Sequence, residues 1–202
     1  MAEARFSGDP KTIWLSEASA DRRMELIEAF WFEDRAGRRW DAGAGSIVDG
    51  ASIPPSLWAL VGSPYTGDYR RASIVHDIAA VEAGSDYDRR LAADKMFYEA
   101  CRAGGCSVWD ATILFIGVRI GAWSPLATLV ETPIRKVKLQ RDVLDLQIES
   151  DFRVTCELVL SQGETDDADE IAARTEAALG RIAGLHDLAA ESAFRAGPVA
   201  SA

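Results

Sequence analysis

Apolar positions fall into three regimes along this chain. Up to residue 48 they come in short clusters broken by turn formers. Met24 to Glu33 is rich in apolar and aromatic residues, Asp34-Arg-Ala-Gly37 reads as a turn, and Arg38 to Trp40 resumes the pattern. That spacing predicts β strands. Asp41 to Gly50 is glycine-rich and reads as loop. Ile53-Pro54-Pro55 is held extended, because a residue before proline avoids the helical region.

Three helices are predicted next. The first runs from about Tyr69 to Glu82 and stops at Ala83-Gly84. The second opens on Asp86 or Asp88, either of which can cap it, and closes at Gly104-Gly105. Ser107-Val-Trp-Asp110 resembles a capping box for the third, which ends before Pro125.

Beyond Pro133 the period shortens. Leu144, Leu146 and Ile148 alternate with polar residues, as do Phe152, Val154, Cys156, Leu158 and Leu160. A period of two predicts strands, with a hairpin around Ser150-Asp151. Ser161 to Asp169 is an acidic linker, and Glu170 to Phe194 carries Ile171, Ala178, Ile182, Leu185 and Ala189 at seam spacing. The expected class is α+β: N-terminal strands, a central three-helix cluster, a C-terminal β hairpin and a terminal amphipathic helix. The expected division is a domain over residues 1–132, a β extension over 133–160, and an acidic linker with tail helix over 161–202. The tail helix is the expected contact for a protein partner or a second copy.

Composition narrows this picture. At 202 residues the chain is long enough to bury a real core. With 48% apolar and 27% charged residues it has a globular composition. A net charge of −10 argues against binding a phosphate backbone, so no nucleic-acid partner is expected. Cys101, Cys106 and Cys156 are an odd number without C-x-x-C spacing, which predicts neither a disulfide framework nor structural zinc. MAEARFSGDP lacks the basic-then-apolar pattern of a signal peptide, and a cytoplasmic location is expected. Val108 to Val130 is strongly apolar, with Gly117 and Gly121 at G-x-x-x-G spacing, but Asp110, Arg119 and Pro125 interrupt it. The charge-free run Ala111 to Val118 is far shorter than the roughly 20 residues of a spanning helix, so a buried core helix is expected.

Polar groups in these apolar settings carry the candidate chemistry. From Ala72 to Val81 every residue is apolar or small except Ser73, His76 and Asp77. A helix hydrophobic nearly all round is buried on several sides, which desolvates both groups. Adjacent helical residues point about 100° apart, so His76 and Asp77 serve different contacts. In the second helix Asp94 shares a stripe with Leu91, Phe97, Tyr98 and Cys101, and a buried carboxylate needs a partner: Arg90, His76 or Arg119. Arg119 needs a carboxylate in turn, from Asp77, Asp94 or Asp49. One reading is a site, with His76 as general base, Asp94 orienting it, and Arg119 or a metal stabilising negative charge. The other is a buried polar network that fixes helix packing. His186-Asp187 repeats the dipeptide in a solvated tail, and Trp58, Tyr65 and Tyr69 read as core or pocket aromatics.

The order Val48-Asp-Gly-Ala-Ser-Ile-Pro54, His76-Asp77, Arg90-Leu-Ala-Ala-Asp94-Lys-Met-Phe97 and Val118-Arg119 resembles domain-of-unknown-function family 1353 of phages and prophages. The likeness covers residues 6 to 122. Val48 stands where that pattern has threonine, and Ala80 where it has a tyrosine whose hydroxyl could hold the Asp94 carboxylate. The family brings no activity with it. It implies a phage-derived virion-associated or assembly protein, in a host cytoplasm or a virion, needing no cofactor. The helix pair is also similar to the core of secreted phospholipases A2. That likeness implies the alternative, a small hydrolase with His76 as base, Asp94 as its partner, and Asp77 with Asp49 toward calcium. The disulfides and the calcium-loop glycine pattern of those enzymes are not reproduced.

Overall fold

The computed structural model describes residues 3–16, 23–63, 66–123 and 134–196. Six short strands come first: β1 (Arg5–Phe6), β2 (Thr12–Trp14), β3 (Met24–Leu26), β4 (Phe30–Glu33), β5 (Arg39–Ala42) and β6 (Ile47–Val48). They form two antiparallel three-stranded sheets, in the orders β1-β4-β5 and β2-β3-β6. The predicted turn is built by its first residue. The Asp34 carboxylate accepts N–H bonds from Ala36 (3.1 Å) and Arg38 (2.8 Å) and from the Trp40 indole (2.9 Å), while Gly37 takes φ 82°. Strand alternation then turns Phe30 and Phe32 inward, where Phe6 packs on both rings.

A 3₁₀ turn at Pro55–Leu57 leads into the one-turn helix α1 (Trp58–Val61) and then α2 (Arg70–Ala83), α3 (Tyr87–Gly104) and α4 (Val108–Trp123). Asp86, not Asp88, caps α3 by accepting from Arg89 N–H at 3.0 Å. At α4, Ser107 Oγ accepts from Asp110 N–H at 3.0 Å and donates to the Asp110 carboxylate at 2.6 Å, a variant of the expected box. The Gly117/Gly121 spacing serves close packing inside the protein. A Cβ on Gly121 would fall 1.9 Å from the Ser52 carbonyl oxygen, so α4 lies directly against the extended Ser52–Pro54 segment. No helix among the described residues is long and apolar enough to cross a membrane.

The expected β hairpin is not found. Residues 134–160 form one helix, α5 (Ile134–Leu160), followed by α6 (Ala168–Ala196). Ile148, Phe152, Thr155 and Val159 are buried at three- and four-residue spacing, whereas Leu146 and Val154, which the alternation would place inside, are exposed. The apolar set satisfies a period of 3.6, and α5 buries it against the earlier helices. Ile171, Ala178 and Leu179 of α6 join the same core cluster as Phe97, Phe115 and Ile148. Leu185 and Leu188 face outward, and the Ala189 side chain lies outside the described residues.

The acidic linker is tied down. Asp166 accepts from the Tyr98 hydroxyl (2.8 Å), Arg102 Nε (2.8 Å) and Arg35 Nη2 (3.0 Å). Burial works against its charge, but these three donors hold its carboxyl below the usual range.

Candidate functional site

Three helices meet at Asp94, and a fourth joins through Arg119. Asp94 Oδ1 stands 2.7 Å from His76 Nε2 of α2 and accepts from Arg90 Nε, one turn back on α3, at 3.2 Å. Its Oδ2 accepts from Arg119 Nη1 of α4 at 2.7 Å. Arg119 Nε donates to Glu176 Oε1 of α6 at 2.8 Å, and Glu176 Oε2 accepts from the Tyr87 hydroxyl at 2.7 Å. Arg119 Nη2 also lies 2.7 Å from Glu176 Oε1, an ion-pair contact without hydrogen-bond angles. The guanidinium sits over the Tyr87 ring, and the imidazole packs against Phe97.

The cluster is dry: His76 and Asp94 are 0% exposed and Arg119 is 1% exposed. Burial is the largest influence on His76, Asp94 and Arg119, and its outcome differs by partner. Desolvation lowers the His76 pKa, and the attraction of Asp94 does not overcome it, so the ring is neutral. Desolvation would raise Asp94, but the hydrogen bond from His76 and the guanidinium groups of Arg90 and Arg119 prevail and hold it ionised. Arg119 is driven further into its charged form by Asp94 and Glu176, against burial. Two guanidinium charges therefore face two carboxylate charges. A neutral imidazole beside an ionised carboxylate donates from Nε2, which leaves Nδ1 a bare acceptor, buried without a partner.

Asp77 has the separate contact that helix geometry predicts. Its Oδ2 accepts the backbone N–H groups of Asp49 (2.9 Å) and Gly50 (2.8 Å), anchoring the segment after β6 to α2. Burial and the nearby Asp49 carboxylate push Asp77 up to about 7, against the two amide dipoles. Among the described residues no three His, Cys, Asp or Glu side chains are grouped as metal ligands.

Of the site residues expected from sequence, His76, Asp94 and Arg119 come together, and all three candidate partners of Asp94 contact it. Asp77 and Asp49 meet each other instead. Glu176 and Tyr87 were not anticipated: Glu176 is 57 residues from Arg119, and the only cue for it was an unpaired buried guanidinium in search of a second anion. Tyr69 is buried and Trp58 half-buried; Tyr65 lies outside the described residues. His186 sits at the surface, 3.3 Å from Asp151, joining α6 to α5. A cavity of about 90 Å³ between Val108, Thr112, Val159 and Ile171 lies apart from the cluster.

Fold and site thus define an α+β domain with a sealed His–Asp–Arg cluster. Residues 24–118 match the family described as Protein of unknown function (DUF1353). Two uncharacterized proteins of Sinorhizobium fredii are similar to this chain. The protein y4jT is 35% identical over 114 residues, 56% of this chain and 32% of that protein. The protein y4iH is 33% identical over 109 residues, 52% of this chain and 43% of that protein. The chain thus spans less than half the length of either relative. No solved structure matches it.

Proposed function

We propose that the chain is a phage- or prophage-type structural protein, virion-associated or used in assembly, whose buried cluster fixes helix packing and whose C-terminal helices offer a contact to a protein partner or a second copy. The carrying observation is the sealing of His76 and Asp94, which are wholly covered while the Asp94 charge is met internally by Arg90 and Arg119. A reacting substrate has to touch its base, and here the polar energy goes into joining α2, α3, α4 and α6. Exposed Leu146, Leu185 and Leu188 on α5 and α6 supply apolar contact area. The phage-type origin rests on the motif resemblance.

The test is light scattering coupled to gel filtration, for the wild type and a Leu185→Glu/Leu188→Glu variant. Self-association that the double substitution abolishes supports the reading with a second copy as partner. A wild type monomeric at high concentration moves the contact to a different protein. The assembly reading is overturned if, in addition, His76→Ala or Asp94→Asn removes a hydrolytic activity while the fold persists.

One observation favours a second reading, a small hydrolase acting on esters or acyl lipids: His76 Nε2 is oriented by Asp94 while Nδ1 is left without a partner, the arrangement of a dyad base. That reading requires an opening motion to admit substrate. It expects His76→Ala and Asp94→Asn to cost far more in rate than in stability, and calcium to raise the melting temperature if Asp77 and Asp49 bind it. The structural reading expects instead that Asp94→Asn lowers stability by about 3–5 kcal/mol, because buried Arg119 loses one of its two carboxylates and half-buried Arg90 loses the carboxylate it pairs with.

A further inference from the structure

Helix α3 ends in a motif that brings two sulfurs together. Gly105 takes φ 113°, its N–H donates to the Arg102 carbonyl (3.2 Å), and the Cys106 N–H donates back to the Cys101 carbonyl (3.1 Å). This pair of bonds, with glycine in the left-handed conformation between them, is a Schellman cap, in which the first residue after the glycine packs on the residue five positions earlier. In most proteins that contact is between two hydrocarbon side chains; here it is between two thiols. The interaction of the two thiols shifts both, raising Cys101 and lowering Cys106. Both cysteines are free and buried, Cys101 completely and Cys106 with a small exposed edge.

We propose that Cys101 and Cys106 are a two-electron redox site, a dithiol that a peroxide closes into a disulfide across the end of α3. The 3.1 Å bond from the Cys106 N–H to the Cys101 carbonyl folds the two residues back toward each other across the cap, as a bridge requires, since it spans only roughly 4.4–6.8 Å between Cα atoms. The order of attack follows from the surroundings. Its interaction with the Cys101 thiol holds Cys106 below its usual range, against burial and the Asp68 and Asp110 carboxylates, with Arg102 assisting. Burial pushes Cys101 well up, so it stays protonated. The Tyr69 phenol, also buried at this corner, is pushed up by burial and by the two thiols and stays neutral.

The Cys106 thiolate attacks one peroxide oxygen. The O–O bond breaks, hydroxide leaves, and Cys106 becomes a sulfenic acid. The Cys101 sulfur then attacks Cys106, the S–O bond breaks, and the departing hydroxide takes the Cys101 proton as water. Two thiols and one hydrogen peroxide give one disulfide and two waters. The corner is well placed to transmit the change: Arg102 donates to the Cys106 carbonyl and also to Asp166, which ties down the linker into α6.

The full chain is treated with hydrogen peroxide, then alkylated in denaturant with N-ethylmaleimide and weighed. Oxidised protein is expected to lose about 2 Da and to take up maleimide at Cys156 alone, against all three cysteines before treatment. Trypsin should then release residues 96–102 joined to residues 103–119. Cys101→Ser should stop at a sulfenic acid on Cys106 that dimedone traps. The proposal is overturned if the folded wild type keeps three alkylatable thiols, if the bridge forms to Cys156, or if urea-unfolded chain gives the same bridge in equal yield. Each outcome is read on the wild type, so it stands even where a serine variant fails to fold.

Discussion

Asp77 is pulled in opposite directions by two features of its place in α2. Two backbone N–H groups favour its charge, while burial and Asp49 oppose it more strongly. A carboxyl raised from about 3.9 to about 7 contributes stability that is full below the unfolded value and declines as pH rises toward 7. His76 has the opposite slope. Its folded pKa lies below 6.5, so stability is lost as pH falls and the unfolded imidazole gains a proton. The two partly cancel between about pH 4 and 6.5. Asp77→Asn keeps an oxygen to accept from Asp49 and Gly50 but removes the titration. We expect stability in that variant to rise more steeply with pH over this interval than in the wild type, and the variant to gain on the wild type at pH 8, as measured by urea unfolding across pH. Parallel curves would mean that Asp77 is ionised throughout.

At the scale of elements, legibility in the sequence followed the reach of the forces involved. The helices α2, α3 and α4 were readable because their ends are local chemistry: Gly84 and Gly105 with positive φ, Asp86 and Ser107 as caps. Helix α5 was misread because Leu144, Ile148 and Phe152 satisfy two periods at once. The deciding fact, which of them meets the earlier helices, is tertiary. The same division runs through the site. His76, Asp94 and Arg119 were recognisable as polar residues on apolar faces, whereas Glu176 needed the docking of α6 to reveal it. Gly121 is a further case of meaning supplied by a distant segment. Alanine is a better helix former than glycine, yet its methyl would meet the Ser52 carbonyl oxygen at 1.9 Å, and a backbone atom cannot swing aside. We expect Gly121→Ala to destabilise by about 1–3 kcal/mol through overpacking, whereas Gly180→Ala, with nothing near its Cβ, should stabilise α6 modestly. Thermal melts of the two variants check this; the reverse order would mean that α4 does not rest on the Ser52–Pro54 segment.

At the scale of the molecule, the family match ends at residue 118, one position before Arg119, while the second carboxylate on that guanidinium comes from α6. The matched stretch thus supplies His76, Arg90 and Asp94, and the rest of the chain completes the charge balance. This arrangement makes α6 part of the buried cluster and not an appendage, and it can be tested by coupling. Glu176→Gln removes a half-buried anion from the edge of the cluster and should cost about 1–3 kcal/mol. Arg119→Met should cost more, because Asp94 then keeps only His76 and Arg90. If α6 is held through this ion pair, the double variant costs clearly less than the sum of the single ones, since with Arg119 gone Glu176 has no buried cation left to lose. Chemical denaturation of the four proteins gives the coupling directly. A sum that adds within error would mean that the Arg119–Glu176 contact contributes nothing to docking α6, which Ile171, Ala178 and Leu179 and its other polar contacts then hold without it.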